Sequence, residues 1–347
     1  MYRDTAEEIS SCCITLEKNF YRSGFDMSAQ IVVTDCDHAN MNEEDAVFKK
    51  AGIEWKLCQC KTEDELIANL QGAVACCNQY AKFTEKVFAA LPDLKMIVRY
   101  GVGVDNVDLE AATRHGVQVC NVPDYGTFEV ADQALALMMA VTRKVCAADN
   151  QVHSGGWDYA QVAPITRLSC MTVGIIGLGR IGTAFAKRVH AMDCKVIGYD
   201  VYTDHIKNNP ELSFIELVSL EELYKRSDLI SLHCGLNKDN EKMMNSATFA
   251  KMKKGAYLIN VARGGLVNEP DLAEALKSGQ IGGAGIDVTT KEPLPLDNPL
   301  HNAPNAVITP HMAWYSVQAA SDLKTKCAEE AVRGVKGEKP RCPVNKL

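Results

Sequence analysis

Val173–Gly182 reads VGIIGLGRIG, a short apolar run that breaks into Gly177-x-Gly179-x-x-Gly182. A buried parallel strand that turns tightly into a helix needs glycine at these three places. The first lets the backbone turn, the second lets a pyrophosphate come close, and the third lets the helix pack against the sheet. The helix that opens at Arg180 and Ile181 presents free N–H groups and the positive end of its dipole to the phosphates. Lys195–Asp200, KVIGYD, reads as the next strand and ends in a carboxylate. An acid there can accept both ribose hydroxyls of an adenosine half. The Asp200 charge would repel a 2′-phosphate, so the cofactor expected is NAD rather than NADP.

A chain of 347 residues exceeds one typical core, so two domains are expected. With 47% hydrophobic and 23% charged residues it has the makeup of a globular enzyme-sized protein. The net charge of -7 argues against nucleic acid as a partner, because phosphate binding needs a basic face. No apolar run approaches the length of a membrane span, and no apolar signal-peptide core opens the chain, so a cytoplasmic location is expected. The 14 cysteines are scattered through strand-like segments and read as small buried hydrophobes in a reducing compartment. Cys12/Cys13, Cys58/Cys60 and Cys76/Cys77 lack the CxxC spacing that zinc favours, so no metal is expected.

Residues 1–27 are polar and without periodicity, and read as an N-terminal extension, with Met27 an alternative start. From Gln30 the pattern alternates strand and helix. Gln30–Asp35, Ile53–Cys58, Ala73–Asn78, Met96–Gly101 and Val117–Val122 have strand length, and a Thr62-x-x-Glu65 capping box opens a helix over Thr62–Leu70. Such alternation means a parallel sheet covered on both faces. Phe128–Ala147 reads as one long apolar helix, too hydrophobic for a surface position and suited to a domain or subunit interface. Beyond Asp200, a Ser219-x-x-Glu222 box starts a helix. Asp228–Cys234, Tyr257–Ala262, Gly285–Val288 and Ala306–His311 read as the remaining strands of a second sheet, and Ser316–Val335 as a helix returning to the first domain.

Several strand ends of this second unit carry polar groups, and ligands of open α/β sheets bind at the carboxyl ends of strands. Arg263, in NVARGG, has a planar fork of donors that can hold a carboxylate and polarise the adjacent carbonyl. His311 can give a proton to a developing alkoxide and take it back in the reverse direction. Glu292, in the TTKEP loop, can hydrogen-bond the imidazole and fix its tautomer. Taken singly, each residue reads more readily as ordinary loop or structural sequence than as a functional group; it is their order behind a dinucleotide fingerprint that points to hydride transfer with a 2-oxo or 2-hydroxy acid.

That order resembles the D-2-hydroxyacid dehydrogenase family from about Gln30 to the end. The likeness rests on RYGVGVDN at Arg99–Asn106, GLGRIG, ARGGLV at Ala262–Val267, GIDV with TTKEP at Gly285–Pro293, and TPH at Thr309–His311. The resemblance implies a Rossmann NAD-binding domain (124–315 with a linking helix) inserted in a flavodoxin-like substrate domain (28–123 and 316–347), and a homodimer. It implies catalytic roles for Arg263, Glu292 and His311. It also implies a substrate carboxylate held by the backbone of Val102 and Gly103, and a nicotinamide carboxamide facing Asp287.

Within the family, HCGLNKDN at His233–Asn240, HMAWYS at His311–Ser316 and the terminal PRCPVNK are similar to the C-terminal-binding protein branch. That likeness adds cofactor contacts from Val102, Cys234, Asn240, Val261, Ala262 and Trp314, and a substrate pocket lined by Arg99 and Trp314. A tryptophan wall favours substrates with an apolar or thioether side chain. Met312 stands where that branch usually has alanine, and Asn268 where many relatives have an acid. Two other readings share the skeleton. One is an NAD(H)-gated dimeric binding protein of corepressor type; the other is a glyoxylate, hydroxypyruvate or phosphoglycerate enzyme.

Overall fold

The computed structural model describes residues 30–347; the extension expected over residues 1–27 lies outside the described residues. Two compact units emerge. One comprises residues 30–98 with Asn106–Cys120 and Ala328–Leu347, the other Arg99–Asp105 with Asn121–Cys327.

The first unit is built on five strands, β1 (Ile31–Val33), β2 (Trp55–Leu57), β3 (Ala75–Asn78), β4 (Met96–Arg99) and β5 (Gln118–Cys120). Their order is β2-β1-β3-β4-β5, the flavodoxin-like arrangement. Within it, β1 pairs parallel with both β2 and β3, and β4 with β5. The capping box forms as read: Thr62 accepts from the Glu65 N–H, and the Glu65 carboxylate accepts from the Thr62 N–H.

The second unit carries β6 (Thr172–Ile176), β7 (Lys195–Tyr199), β8 (Glu216–Leu217), β9 (Leu229–Leu232), β10 (Ala256–Asn260), β11 (Ile281–Ile286) and β12 (Ala306–Ile308). The order is β12-β11-β10-β9-β6-β7-β8, parallel at every step. This is the doubly wound dinucleotide-binding order, with its reversal between β6 and β9. Alternate residues of β6 serve different cores. Val173 and Ile175 pack with Phe185, Leu137 and Met138, whereas Ile176 packs with Ile230, Leu258 and Leu272. Both faces of the sheet are thus covered, as a parallel sheet requires.

Two readings need correction. The single helix expected over Phe128–Ala147 is two helices, Thr127–Thr142 and Val145–His153. The break falls at Lys144, whose φ of 52° is left-handed and cannot continue a right-handed helix. The first of the pair owes its apolar character to the sheet of its own unit, where Ala131, Ala134, Leu137, Met138 and Val141 are buried in the core. The strand expected at Gly285–Val288 begins earlier, at Ile281. Its glycines stand where side chains would collide: a Cβ on Gly285 would lie 2.7 Å from Leu137 Cβ, and one on Gly282 would lie 2.5 Å from Gly255 O. Among the described residues, no helix is long and apolar enough to cross a membrane.

Candidate active site

The glycine loop after β6 is shaped by the atoms its glycines lack. Gly177 has φ 94°, and a Cβ there would come within 2.5 Å of Cys234 N at the end of β9. A Cβ on Gly182 would run into Gly177 O, whereas one on Gly179 meets nothing within 4 Å. The turn and the helix–strand contact therefore each need a glycine, and the face at Gly179 stays open. Gly179 caps the helix Arg180–His190 without any side-chain acceptor, so the first N–H groups of that helix, at Arg180 and Ile181, are left for an anion.

Asp200 at the end of β7 closes the other side. Its Oδ2 accepts from Leu178 N at 2.6 Å and its Oδ1 from Tyr202 N at 2.8 Å, which fixes the carboxylate beside the loop. His205 braces the same place through Nε2 and Leu178 O, 2.7 Å apart. An open glycine, uncapped helix N–H groups and an anchored carboxylate together fit the pyrophosphate and adenosine ribose of NAD.

Arg263 follows β10 and opens the short 3-10 turn Gly264–Leu266. Its guanidinium is aimed by Nε–Asp105 Oδ1 at 3.1 Å and by Nη1 donating to Ala262 O at 2.8 Å, while Asn260 Nδ2 donates to Arg263 O at 2.9 Å. Nη2 lies against Gly103, where a Cβ would collide with it. Arg99 covers Gly101 in the same way. Burial works to raise the Asp105 carboxyl, but the Arg263 charge and hydrogen bond, its own backbone N–H and Arg99 outweigh this and hold it below the usual carboxylate value. Neither the Val102 nor the Gly103 N–H has a partner within its unit, whereas Val102 O accepts from Asn121 Nδ2 at 2.7 Å.

His311 stands in the turn after β12. Its φ of 52° is uncommon for a residue with a Cβ, and its N–H donates to Asp287 O at 2.8 Å. Asp287, 2% exposed, sets that turn: its carboxylate accepts from Thr309 Oγ1 at 2.5 Å, Met312 N at 3.0 Å and Ala313 N at 2.9 Å. His311 Nδ1 lies 2.7 Å from Glu292 Oε2, and Nε2 makes no hydrogen bond. Burial pushes the Glu292 carboxyl up. The hydrogen bond and charge of His311, the Thr289 N–H and the Arg263 charge act the other way and prevail, holding it below its ordinary value. As an ionised acceptor Glu292 selects the tautomer with hydrogen on Nδ1, which leaves the Nε2 lone pair facing outward.

Residues 135–313 match the family model for the D-isomer specific 2-hydroxyacid dehydrogenase, NAD binding domain. A glyoxylate reductase of Thermofilum pendens is 37% identical over 82% of this chain and 85% of its own length. The chain belongs to the D-isomer specific 2-hydroxyacid dehydrogenases. It is an NAD(P)-dependent oxidoreductase acting on the CH–OH group of donors. A D-3-phosphoglycerate dehydrogenase of Archaeoglobus fulgidus is also 37% identical, over 86% of this dehydrogenase, which spans 56% of that longer chain. Among solved structures, a glyoxylate reductase from Paecilomyes thermophila superposes with a TM-score of 0.82 at 26% identity, covering 91% of this chain and 98% of that one. A D-lactate dehydrogenase from Aquifex aeolicus, complexed with NAD and lactic acid, gives 0.79 at 27% identity over 89% and 96%.

The other expected contacts of the dehydrogenase are placed as follows. Cys234 is half-buried at the mouth of the glycine loop, and burial pushes its thiol up to about 11. Asn240 spends its side chain on its own loop, donating to Gly235 O at 2.7 Å and accepting from Asn237 N at 2.8 Å. Val261 is buried in the core at 7% exposure, so its backbone is what it can offer a ligand. Trp314 is half-buried, with its ring edge-on to Tyr125 at 6.1 Å. Asp105 and Tyr125 join these residues in the fold without having stood out in the sequence. Asp105 lies within the RYGVGVDN motif, but its pairing with a residue 158 positions away has no local signal.

Proposed function

We propose that this dehydrogenase reduces 2-oxo acids with an apolar or thioether side chain to D-2-hydroxy acids, with Arg263, Glu292 and His311 as its working residues. The observation that carries the reading is the His311–Glu292 pair at 2.7 Å with Nε2 left open. The glycine loop Gly177–Gly182 and Asp200 would hold NADH, which when bound would supply the hydride. The Arg263 fork and the unpartnered N–H groups of Val102 and Gly103 grip the substrate carboxylate and turn the carbonyl toward His311. Protonated His311 gives the Nε2 proton to the forming alkoxide, while Glu292 stabilises the imidazolium and keeps the ring in place. In oxidation the neutral Nε2 takes that proton back.

Trp314 and Tyr125 supply an apolar wall three residues past His311, and Met312 adds an exposed thioether side chain beside it. The named relatives are a glyoxylate reductase and a phosphoglycerate dehydrogenase, so the likeness to the C-terminal-binding protein branch serves only to single out this wall. Steady-state rates with glyoxylate, pyruvate, hydroxypyruvate and 2-oxo acids bearing branched or thioether chains test the assignment. The highest kcat/KM should fall on the branched or thioether acids; a maximum at glyoxylate would reject the wall's role. We also infer a homodimer. The helix Val145–His153 buries none of its residues, and Val145, Val152, Trp157 and Tyr159 are exposed together along it and the turn that follows. Light scattering of the native protein and of a Trp157→Asp, Tyr159→Asp variant checks this, with a shift to monomer expected in the variant.

A further inference from the structure

The first unit holds a pair of thiols that the dehydrogenase chemistry does not use. Strand β2 pairs with β1 up to Leu57, and Cys58 N continues the ladder by donating to Val33 O at 3.0 Å. The next donor of a regular parallel ladder, Cys60 N, would reach residue 35. It donates instead to Thr34 O at 2.7 Å, so Gln59 is an extra residue and forms a bulge. Gln59 has φ 52°, and its amide is clamped to Cys36, accepting from Cys36 N at 3.1 Å and donating to Cys36 O at 2.7 Å. The left-handed φ of Gln59 turns the chain out of the extended form, and a fully helical conformation there would bring the Cα atoms of Cys58 and Cys60 to about 5.4 Å, from the helix radius and rise. That lies inside the roughly 4.4–6.8 Å range that a disulfide accepts, which a fully extended link would strain.

The two cysteines of this Cys-Gln-Cys bend differ in environment. Cys58 is half-buried and reachable, whereas Cys60, 4% exposed, lines a cleft of about 360 Å³ with Asp35, Cys36, Asp37, Lys61 and Tyr80. The thiols also act on each other. Cys60 as hydrogen-bond partner outweighs burial and, with the Lys56 charge, draws Cys58 below the ordinary thiol value. Cys60 goes the other way: its bond to Cys58, burial, and the Cys58, Glu65 and Asp35 charges all push it up. A thiolate is the attacking form, and a thiol beside it is the resolving partner.

We propose that Cys58 and Cys60 are a thiol–disulfide exchange pair, in which Cys58 attacks a low-molecular-weight disulfide and Cys60 resolves the adduct. The Cys58 thiolate forms a bond to one sulfur of RSSR and expels RS⁻. The Cys60 thiol then passes its proton to that thiolate and attacks Cys58 Sγ, expelling the second RS⁻ and closing the Cys58–Cys60 bond. Two protein thiols are oxidised by two electrons, and one external disulfide is reduced to two thiols.

The probe is oxidised glutathione at graded ratios to the reduced form. It is applied to the reduced full chain, followed by acid quench, alkylation and peptide mapping by mass spectrometry. In the wild type, the peptide bearing both residues should lose two hydrogens and escape alkylation at an oxidised ratio that leaves the exposed Cys146 and Cys170 alkylated. Cys60→Ser should accumulate a glutathione adduct on Cys58, and Cys58→Ser should leave Cys60 unmodified. NADH turnover of the reduced variants, unchanged from wild type, shows that each folds. Alkylation of both residues at every ratio overturns the proposal, as does an adduct on Cys60 in Cys58→Ser.

Discussion

Replacing Arg263 by lysine keeps a cation at the site and removes the fork. In the native enzyme, Nε is committed to Asp105 at 3.1 Å and one Nη1 hydrogen to Ala262 O at 2.8 Å, so the carboxylate is left with the second Nη1 hydrogen, Nη2 and the Val102/Gly103 backbone. An ammonium cannot hold those two bonds and still reach the substrate from the same direction. Losing one charge-assisted hydrogen bond costs about 1.5–3 kcal/mol, which is about 10- to 150-fold in kcat/KM. The Asp105 partner sets a control. Its side chain is 58% exposed, so the Arg263–Asp105 attraction is largely screened by water. Asp105→Ala should therefore cost at most about 1 kcal/mol, or about fivefold. Loss of NADH absorbance under steady-state conditions gives the rates, and quenching of intrinsic fluorescence by NADH shows that cofactor binding is retained in both variants. An Arg263→Lys enzyme with native kcat/KM would refute the carboxylate fork. An Asp105→Ala enzyme as impaired as Arg263→Lys would show that the aim of the guanidinium, rather than its contact, is what matters.

Other perturbations separate the remaining roles. Gly182→Ala places a Cβ against Gly177 O, which is backbone and cannot swing aside; about 1–3 kcal/mol of stability should go, read as a lower Tm, together with NADH binding. Asp200→Asn removes the charge opposing a 2′-phosphate. Two unit charges about 4 Å apart in water repel by about 1 kcal/mol, so the NADPH-to-NADH ratio of kcat/KM should rise at least about fivefold. Because the Glu292 carboxyl is held below its ordinary value of 4.5, its contribution to stability is complete above that value and disappears as pH falls through the lowered one. The Tm gap between wild type and Glu292→Gln should accordingly close on acidification below that value, and a gap independent of pH would contradict the pairing.

How much of this was legible in the sequence depends on how local each signal is. Gly177, Gly179 and Gly182 could be given separate jobs from spacing alone, because each job follows from a missing Cβ within one strand–turn–helix. The Thr62/Glu65 capping box was readable for the same reason. The break at Lys144 was not, since neither glycine nor proline marks it and a left-handed lysine has no composition signal. Strand β8, two residues at the sheet edge, is too short to show a period, and β11 hid behind glycines that usually mean a turn. At the site, the residue types of Arg263, Glu292 and His311 suggested their chemistry and the Glu292–His311 contact, but what else aims them did not show. Asp105 and the turn-holding carboxylate of Asp287 act across gaps that only folding closes. Family resemblance gave Asp287 a place facing the cofactor, and the structure adds the Thr309–Ala313 turn that its oxygens hold.

The most direct test of the account is turnover of a branched 2-oxo acid by His311→Gln, set beside NADH binding in the same preparation. Glutamine cannot carry the proton that Nε2 gives, so the rate should fall by about 10²- to 10⁴-fold while NADH binds as in wild type. Turnover at the wild-type rate would contradict the assignment of His311 as the acid and base.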